Sequence, residues 1–261
     1  MEALEGVGLG LLQGLTEFLP VSSSGHLVLA QSVLPGFRQP GVLFDVLLHG
    51  GTLAAVVVYF RRDLASLVAC LARGGDPAQR RLLAWIVAAT VPTGVVGVAF
   101  RDFFERLFHA PRAAAGMLLV TGVLLWVSDV LGRARVPLSG VGFGRALAIG
   151  TVQGVSIIPG ISRSGSTIAA GKLLGVDGAD AARFSFLISV PAVLGALVLE
   201  LPRLGTVEAG SLLPYAAGVL AAFLSGLWAI RFLLACLKKN RFRWFALYCW
   251  AMGAGYLLFS S

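Results

Sequence analysis

Two polar stretches interrupt this apolar chain, and each holds residue types that can handle phosphate or move a proton. The first begins with Gln13 and Glu17 and continues, after Pro20, as Ser22, Ser23, Ser24, Gly25 and His26. The second, PGISRSGST, runs from Pro159 to Thr167. Arg163 offers a planar, permanently charged fork that matches phosphate oxygens. Around it stand the hydroxyls of Ser162, Ser164, Ser166 and Thr167, with Gly160 and Gly165 allowing backbone N–H groups to approach a ligand. A helix starting near Ser166 would add its positive dipole end. In the first stretch the serines are candidate nucleophiles and His26 a nearby base, the pairing that activates a hydroxyl. Gln13 and Glu17, spaced i and i+4, share a helix face and could hold a divalent cation together with substrate phosphates and water. Plainer readings exist for each part: serines end helices, Arg163 could reach a lipid head group, and Glu17 with Arg163 could be a structural ion pair. The combination of acid, hydroxyls, histidine and arginine on two breaks carries more weight than any member alone.

These residues sit in a chain of 261 residues that is 57% hydrophobic and 13% charged, with mean hydropathy +0.85. Soluble domains carry roughly twice that charge, and many runs reach the ~17–20 residues that cross a bilayer. Six segments read as full crossings: about 42–60, 82–100, 113–131, 183–201, 211–231 and 244–260. The regions 3–34 and 145–174 are broken at PVSSSG and PGISRSGS. Proline and glycine end helices, and irregular backbone at membrane depth must be buried in protein or line a wet cavity. Both regions are therefore expected to be re-entrant helix–loop–helix hairpins; treating them as ordinary spans is the competing topology. With two hairpins, loops on one side carry 14 Lys/Arg and those on the other carry 4. The richer side is expected to be cytoplasmic, with both termini outside.

The net charge of +8 is spread in short clusters such as RRD at 61–63, QRR at 79–81 and KKNRFR at 238–243. That placement suits anionic head groups and argues against nucleic acid. MEALEG at the N-terminus lacks a basic region, so no cleaved signal peptide is expected. Cys70, Cys236 and Cys249 show no metal or disulfide spacing and are expected to pack. His49, four residues after Asp45, is expected to hydrogen-bond with it, with a place around the site left open.

A shift of 140 residues aligns the two breaks without a gap. Gln13–Gly14 falls on Gln153–Gly154, Thr16 on Ser156, Ser22 on Ser162, and Ser24–Gly25 on Ser164–Gly165. Phe44 and Leu47 continue the register onto Phe184 and Leu187. Three crossings separate the breaks, so the second hairpin would enter from the opposite face, as in inverted-repeat transporters. The expected fold is an all-α polytopic membrane protein: one domain over 1–261, with repeats at about 1–131 and 141–261.

QGLTEFLPVSSSGH together with PGISRSGST, and FSFLISVPA at 184–192, resembles the undecaprenyl-pyrophosphate phosphatase, or bacitracin-resistance, family. The resemblance extends over essentially the whole chain. It implies a bacterial enzyme of the cytoplasmic (inner) membrane that removes the terminal phosphate of a C55 isoprenoid diphosphate, returning the monophosphate carrier to envelope synthesis. The family's acidic motif is Glu or Gln, three residues, then Glu; here Gln13 takes the first position, leaving Glu17 as the pair's only carboxylate. The resemblance points to Ser23 as nucleophile, to His26 in an acid/base or nucleophilic role, and to Arg163 as the second motif's arginine. It also implies Mg2+ or Ca2+ dependence and a site open to the outer face. On this reading Arg163, loop N–H groups and a cation at Glu17 stabilise the pyrophosphate, while Ser23 or water attacks and His26 handles the proton. Expected partners are a polyprenyl diphosphate, membrane lipids and possible homodimerisation, without nucleic acid.

Three rivals were weighed. SSGH at 23–26 resembles an element of type-2 phosphatidic acid phosphatases, but their His and Asp would fall on Ala169 and Leu173. A transporter or lipid flippase fits the inverted repeat, since architecture does not fix function; it has no need of the Ser-His-Glu-Arg set. A structural scaffold would leave two aligned polar breaks unexplained.

Overall fold

The computed structural model describes residues 3–34, 42–72, 75–132, 136–206, 210, 212–238 and 242–260. Of the basic residues counted for orientation, Arg73, Arg133, Arg135, Lys239 and Arg241 lie outside them. The described residues form twelve α-helices and no strand, apart from one isolated bridge between Val136 and Val176.

The first break separates α1 (Ala3–Phe18) from α2 (Ser23–Val33), and the second separates α8 (Phe143–Val155) from α9 (Arg163–Leu173). The helix after the second break starts at Arg163, three residues earlier than the Ser166 start read from the sequence, because Ser162 already caps it. Between the breaks run α3 (Leu43–Tyr59), α4 (Arg61–Ala69), α5 (Pro77–Ala99), α6 (Arg101–Leu107) and α7 (Pro111–Leu131). After the second come α10 (Gly178–Glu200), α11 (Leu212–Lys238) and α12 (Arg243–Phe259).

Among the described residues four helices, α5, α7, α10 and α11, are long and apolar enough to cross a membrane; α3 with α4 makes a fifth candidate if their 74° bend is one broken span. The chain is a multi-pass membrane protein. Its outward faces agree: Val87, Val91, Val95 and Val98 of α5 are each more than half exposed, a stripe at helical spacing suited to lipid tails. The loops expected at 61–81 and 101–112 contain the helices α4 and α6.

Close helix packing rests on small residues, as it does where lipid removes the hydrophobic drive for association. α1 lies along α11, where a Cβ on Gly10 would strike the Gly218 carbonyl and one on Gly14 the Ser225 hydroxyl. α8 lies along α5 in the same manner, with Gly150 against the Ala89 backbone. Beneath the breaks the core is aromatic: Phe18 meets Phe186 edge-on at 5.5 Å, and Phe60 meets the same ring at 5.7 Å.

Candidate active site

Each break is built as a helix N-terminus capped by its own serine. Ser22 Oγ accepts from the Gly25 N–H at 3.2 Å, and Ser162 Oγ accepts from the Gly165 N–H at 3.0 Å. Ser22 holds φ 68°, a left-handed conformation unusual for a residue with a side chain. The two loops touch. Ser164 Oγ donates to the Leu19 carbonyl at 3.2 Å, while a Cβ on Gly25 would lie 2.9 Å from Gly160 Cα. Gly160 itself has φ +94° and faces the Ala114 carbonyl of α7. Gly25 and Gly160 thus let backbone approach backbone, and Gly165 lies against the Ser162 side chain and Pro20 Cβ. Thr121 of α7 pins the second loop, accepting from the Ser162 N–H at 3.0 Å and donating to the Gly160 carbonyl at 2.8 Å.

Glu17, at the end of α1, is the hub. It is buried and ion-paired to Arg163 Nη2, a partner 146 residues away on the other break. Its other oxygen accepts from Ser23 Oγ at 2.5 Å and from Gln13 Nε2 at 2.9 Å. His49 Nε2 of α3 lies 3.3 Å from the same oxygen. Burial strengthens these contacts, because few solvent dipoles compete.

Buried atoms of the two broken segments without a protein partner include Gln13 Oε1 and Arg163 Nη1, each on a residue bonded to Glu17, and Ser166 Oγ, three residues on from Arg163 in α9. Buried polar atoms are nearly always satisfied, so each of these needs an explanation. Together they form a set able to bind an anion (Nη1 and the hydroxyl) and a hard cation (the amide oxygen). Turning the Gln13 amide over would set its oxygen against the Glu17 carboxylate, so the orientation with Nε2 donating is the favoured one.

His26 departs from expectation. Its Nδ1 lies 2.8 Å from the Ser22 carbonyl and its Nε2 2.9 Å from the Tyr248 hydroxyl of α12. In place of the Ser23–His26 contact read from proximity along the chain, the Ser23 hydroxyl is bonded to Glu17 and the His26 ring to Tyr248, although a spacing of three residues puts both side chains on one face of α2. Thr167 Oγ1 is taken up inside the fold, donating to the Arg163 carbonyl at 2.8 Å and sharing a hydrogen with Ser185 Oγ at 2.6 Å. Ser24 Oγ sits 3.4 Å from Ser22 Oγ at the rim of the first break.

Two neighbours of the site were not assigned to it in the sequence. For His49 the sequence leaves a place around the site open beside the Asp45 contact: its Nδ1 donates to the Asp45 backbone carbonyl at 2.7 Å and its other nitrogen reaches Glu17. Tyr248 gave no signal, being one aromatic in an apolar helix 222 residues from His26.

With this geometry in view, the profile of the family "Bacitracin resistance protein BacA" matches residues 6–255. The chain belongs to that family. Relatives agree along its whole length: it is 49% identical to the undecaprenyl-diphosphatase of Syntrophotalea carbinolica, over 100% of both chains. It is 45% identical to the undecaprenyl-diphosphatase of Desulfosudis oleivorans, over 97% of each. The undecaprenyl-diphosphatase of Carboxydothermus hydrogenoformans is 40% identical, over 100% of this chain and 98% of that one. In this BacA-family member the Glu17–Arg163 pair and the Ser23 hydroxyl occupy the contact between the two breaks.

Proposed function

We infer that this chain is an undecaprenyl-diphosphatase: a membrane enzyme that hydrolyses undecaprenyl diphosphate to undecaprenyl phosphate and inorganic phosphate, recycling a cell-wall lipid carrier and opposing bacitracin. The observation that carries the reading is the meeting of Glu17, Ser23 and Arg163, drawn from two distant breaks into one buried site. Translocation alone would need no such hydroxyl–carboxylate contact, which disfavours the flippase alternative.

Arg163 enters the reaction with one side of its fork on Glu17 and Nη1 free to take a terminal phosphate oxygen, joined by the Ser166 hydroxyl. Glu17 orients the Ser23 hydroxyl and is the group placed to accept its proton. Ser23 Oγ then bonds to the terminal phosphorus as the bridging P–O bond breaks, releasing the prenyl monophosphate; water cleaves the phosphoserine and returns the proton. His26 supplies through Nε2 the proton that the departing prenyl phosphate takes up, and recovers one from the water that cleaves the phosphoserine. Direct attack by water, oriented by the same carboxylate, is the variant of this scheme that Ser23→Ala separates.

Gln13 Oε1 and Glu17 fit a divalent cation that takes the rest of its ligands from phosphate and water, the pattern of Mg2+ more than of a full Ca2+ cage. No cluster of three acidic, histidine or cysteine side chains exists among the described residues. Such a cation would neutralise charge on the pyrophosphate.

In the bilayer, six crossings with two re-entrant hairpins remain the topology favoured here. α1 and α2, at 16 and 11 residues, rise about 24 and 17 Å, and α8 and α9 are no longer, against a hydrocarbon core of ~30 Å. Within each break the two short helices pack on each other, as a hairpin does. Support for the inverted repeat comes from reciprocal partners: α1 with α11, α8 with α5, α3 with α10, and α7 with α12. The positive-inside count favours a site opening to the outer face of the cytoplasmic membrane.

The test is phosphate release from C15 and C55 prenyl diphosphates by protein purified in detergent, with and without Mg2+. Metal-dependent release, lost in Glu17→Ala and Arg163→Ala proteins that remain folded, is the expected result. No release from folded wild type with either lipid, in Mg2+ or Ca2+, would move the assignment to the flippase.

A further inference from the structure

His26 has one nitrogen able to gain and lose a proton, and the fold decides which. Nδ1 faces the Ser22 carbonyl at 2.8 Å. A carbonyl oxygen can only accept, so Nδ1 carries a hydrogen in both the neutral and the protonated ring. Every proton that His26 gives or takes must therefore pass through Nε2. That nitrogen lies 2.9 Å from the Tyr248 hydroxyl. A phenol hydroxyl serves both states, donating to the neutral ring and accepting from the protonated one. The two ring planes are nearly parallel, 7° apart, with centroids separated by 5.6 Å.

The hydroxyl is held where it is. On the same turn of α12, Trp250 Nε1 donates to the Leu119 carbonyl of α7 at 3.1 Å, and Cys249 Sγ lies 3.7 Å from the Pro20 carbonyl in the first break. Two turns further on, the Tyr256 hydroxyl meets Ser32 Oγ of α2 at 3.0 Å. α12 is thus fastened to α7, to the first break and to both ends of α2, while Tyr248 itself is 43% exposed at the margin of the site. A residue kept only for packing could be any large apolar side chain in such a half-exposed place. What the tyrosine adds is one hydroxyl on the proton-exchanging nitrogen. The charged and titratable groups that gather at the adjoining hub are Glu17 from α1, Arg163 from α9 and His49 from α3.

We propose that Tyr248 is the proton relay of His26: its hydroxyl occupies the single bonding site of Nε2, so a proton leaving the protonated ring passes to the phenol oxygen as the phenol hydrogen goes on to the departing prenyl phosphate, and the reverse transfer restores the ring. The proposal rests on the phosphatase reading of this site.

A double-mutant cycle tests it, with steady-state phosphate release from a C15 prenyl diphosphate by wild type, Tyr248→Phe, His26→Asn and the double variant, each checked for folding by thermal melting. Phenylalanine keeps the ring and removes the hydroxyl. The expected result is a fall in kcat of about 10-fold, with KM within about twofold, and no further loss when Tyr248→Phe is added to His26→Asn. Equal losses in both backgrounds, an effect on KM alone, or an unchanged kcat would each overturn the proposal. A readout independent of turnover separates its failure from that of the phosphatase reading. In 15N-histidine-labelled protein, with His26 assigned by its loss in His26→Asn, Tyr248→Phe should shift the Nε2 resonance and leave Nδ1 in place. An Nε2 resonance that does not move rejects the contact, whatever the enzyme's activity.

Discussion

Ser23 Oγ donates to Glu17 Oε2 across 2.5 Å, from the first turn of α2 to the last turn of α1. Pro20 and Val21 lie in the break between them, so the bend that interrupts the helix also brings the hydroxyl onto the carboxylate. The group bonded to the candidate nucleophile is thereby a carboxylate, already paired with an arginine from the other half of the chain.

Glu17→Gln keeps the size of the side chain and removes its charge. Phosphate release should fall by at least about 100-fold, the scale of a lost general base. Ser23→Ala should fall as far if serine attacks; activity within about tenfold of wild type would assign the attack to water. Both are read from initial rates, after melting curves show a folded protein.

Arg163→Ala should destabilise the protein by about 3–5 kcal/mol, because Glu17 is left as a buried carboxylate without its cation. Adding Glu17→Gln should recover part of that loss. Denaturation in mixed detergent micelles compares the single and double variants, and a double variant less stable than Arg163→Ala would contradict the pairing. Arg163→Lys should stay folded but raise KM at least several-fold, since an ammonium cannot hold Glu17 and a phosphate with one planar fork.

Chelation should abolish phosphate release, and Mg2+ should restore it. Gln13→Glu would place a second carboxylate where Gln13 Oε1 lies unpartnered, so half-activation should need several-fold less Mg2+. Gln13→Leu should need more. Titrating Mg2+ at fixed substrate gives the order; an identical requirement in all three proteins would remove Gln13 from the cation's surroundings.

Gly160→Ala should cost at least about 2 kcal/mol, because its φ of +94° disfavours a side chain and a Cβ would meet the Ala114 carbonyl. Gly150→Ala should also be destabilising, where a Cβ would run into the Ala89 backbone between α8 and α5. Gly116→Ala, with open space around it, is the control and should melt like wild type.

Much of this protein is legible in its residue order. Apolar runs fix the helical, membrane-embedded class, since only internally bonded backbone survives in hydrocarbon. Prolines and serines fix the two breaks, and their 140-residue register marks Glu17, Ser23 and Arg163 as worth joining. The last step was beyond local pattern. His26 lies three residues from Ser23 on the same helix face, yet its ring is bonded to Tyr248, and Glu17 takes the hydroxyl instead. His49 reaches the carboxylate because α3 runs beside α1, and Tyr248 reaches His26 because α12 and α2 both pack on α7. Spacing along a chain specifies which face of a helix a side chain occupies; which partner waits there depends on how twelve helices pack, and that is a property of the tertiary structure alone.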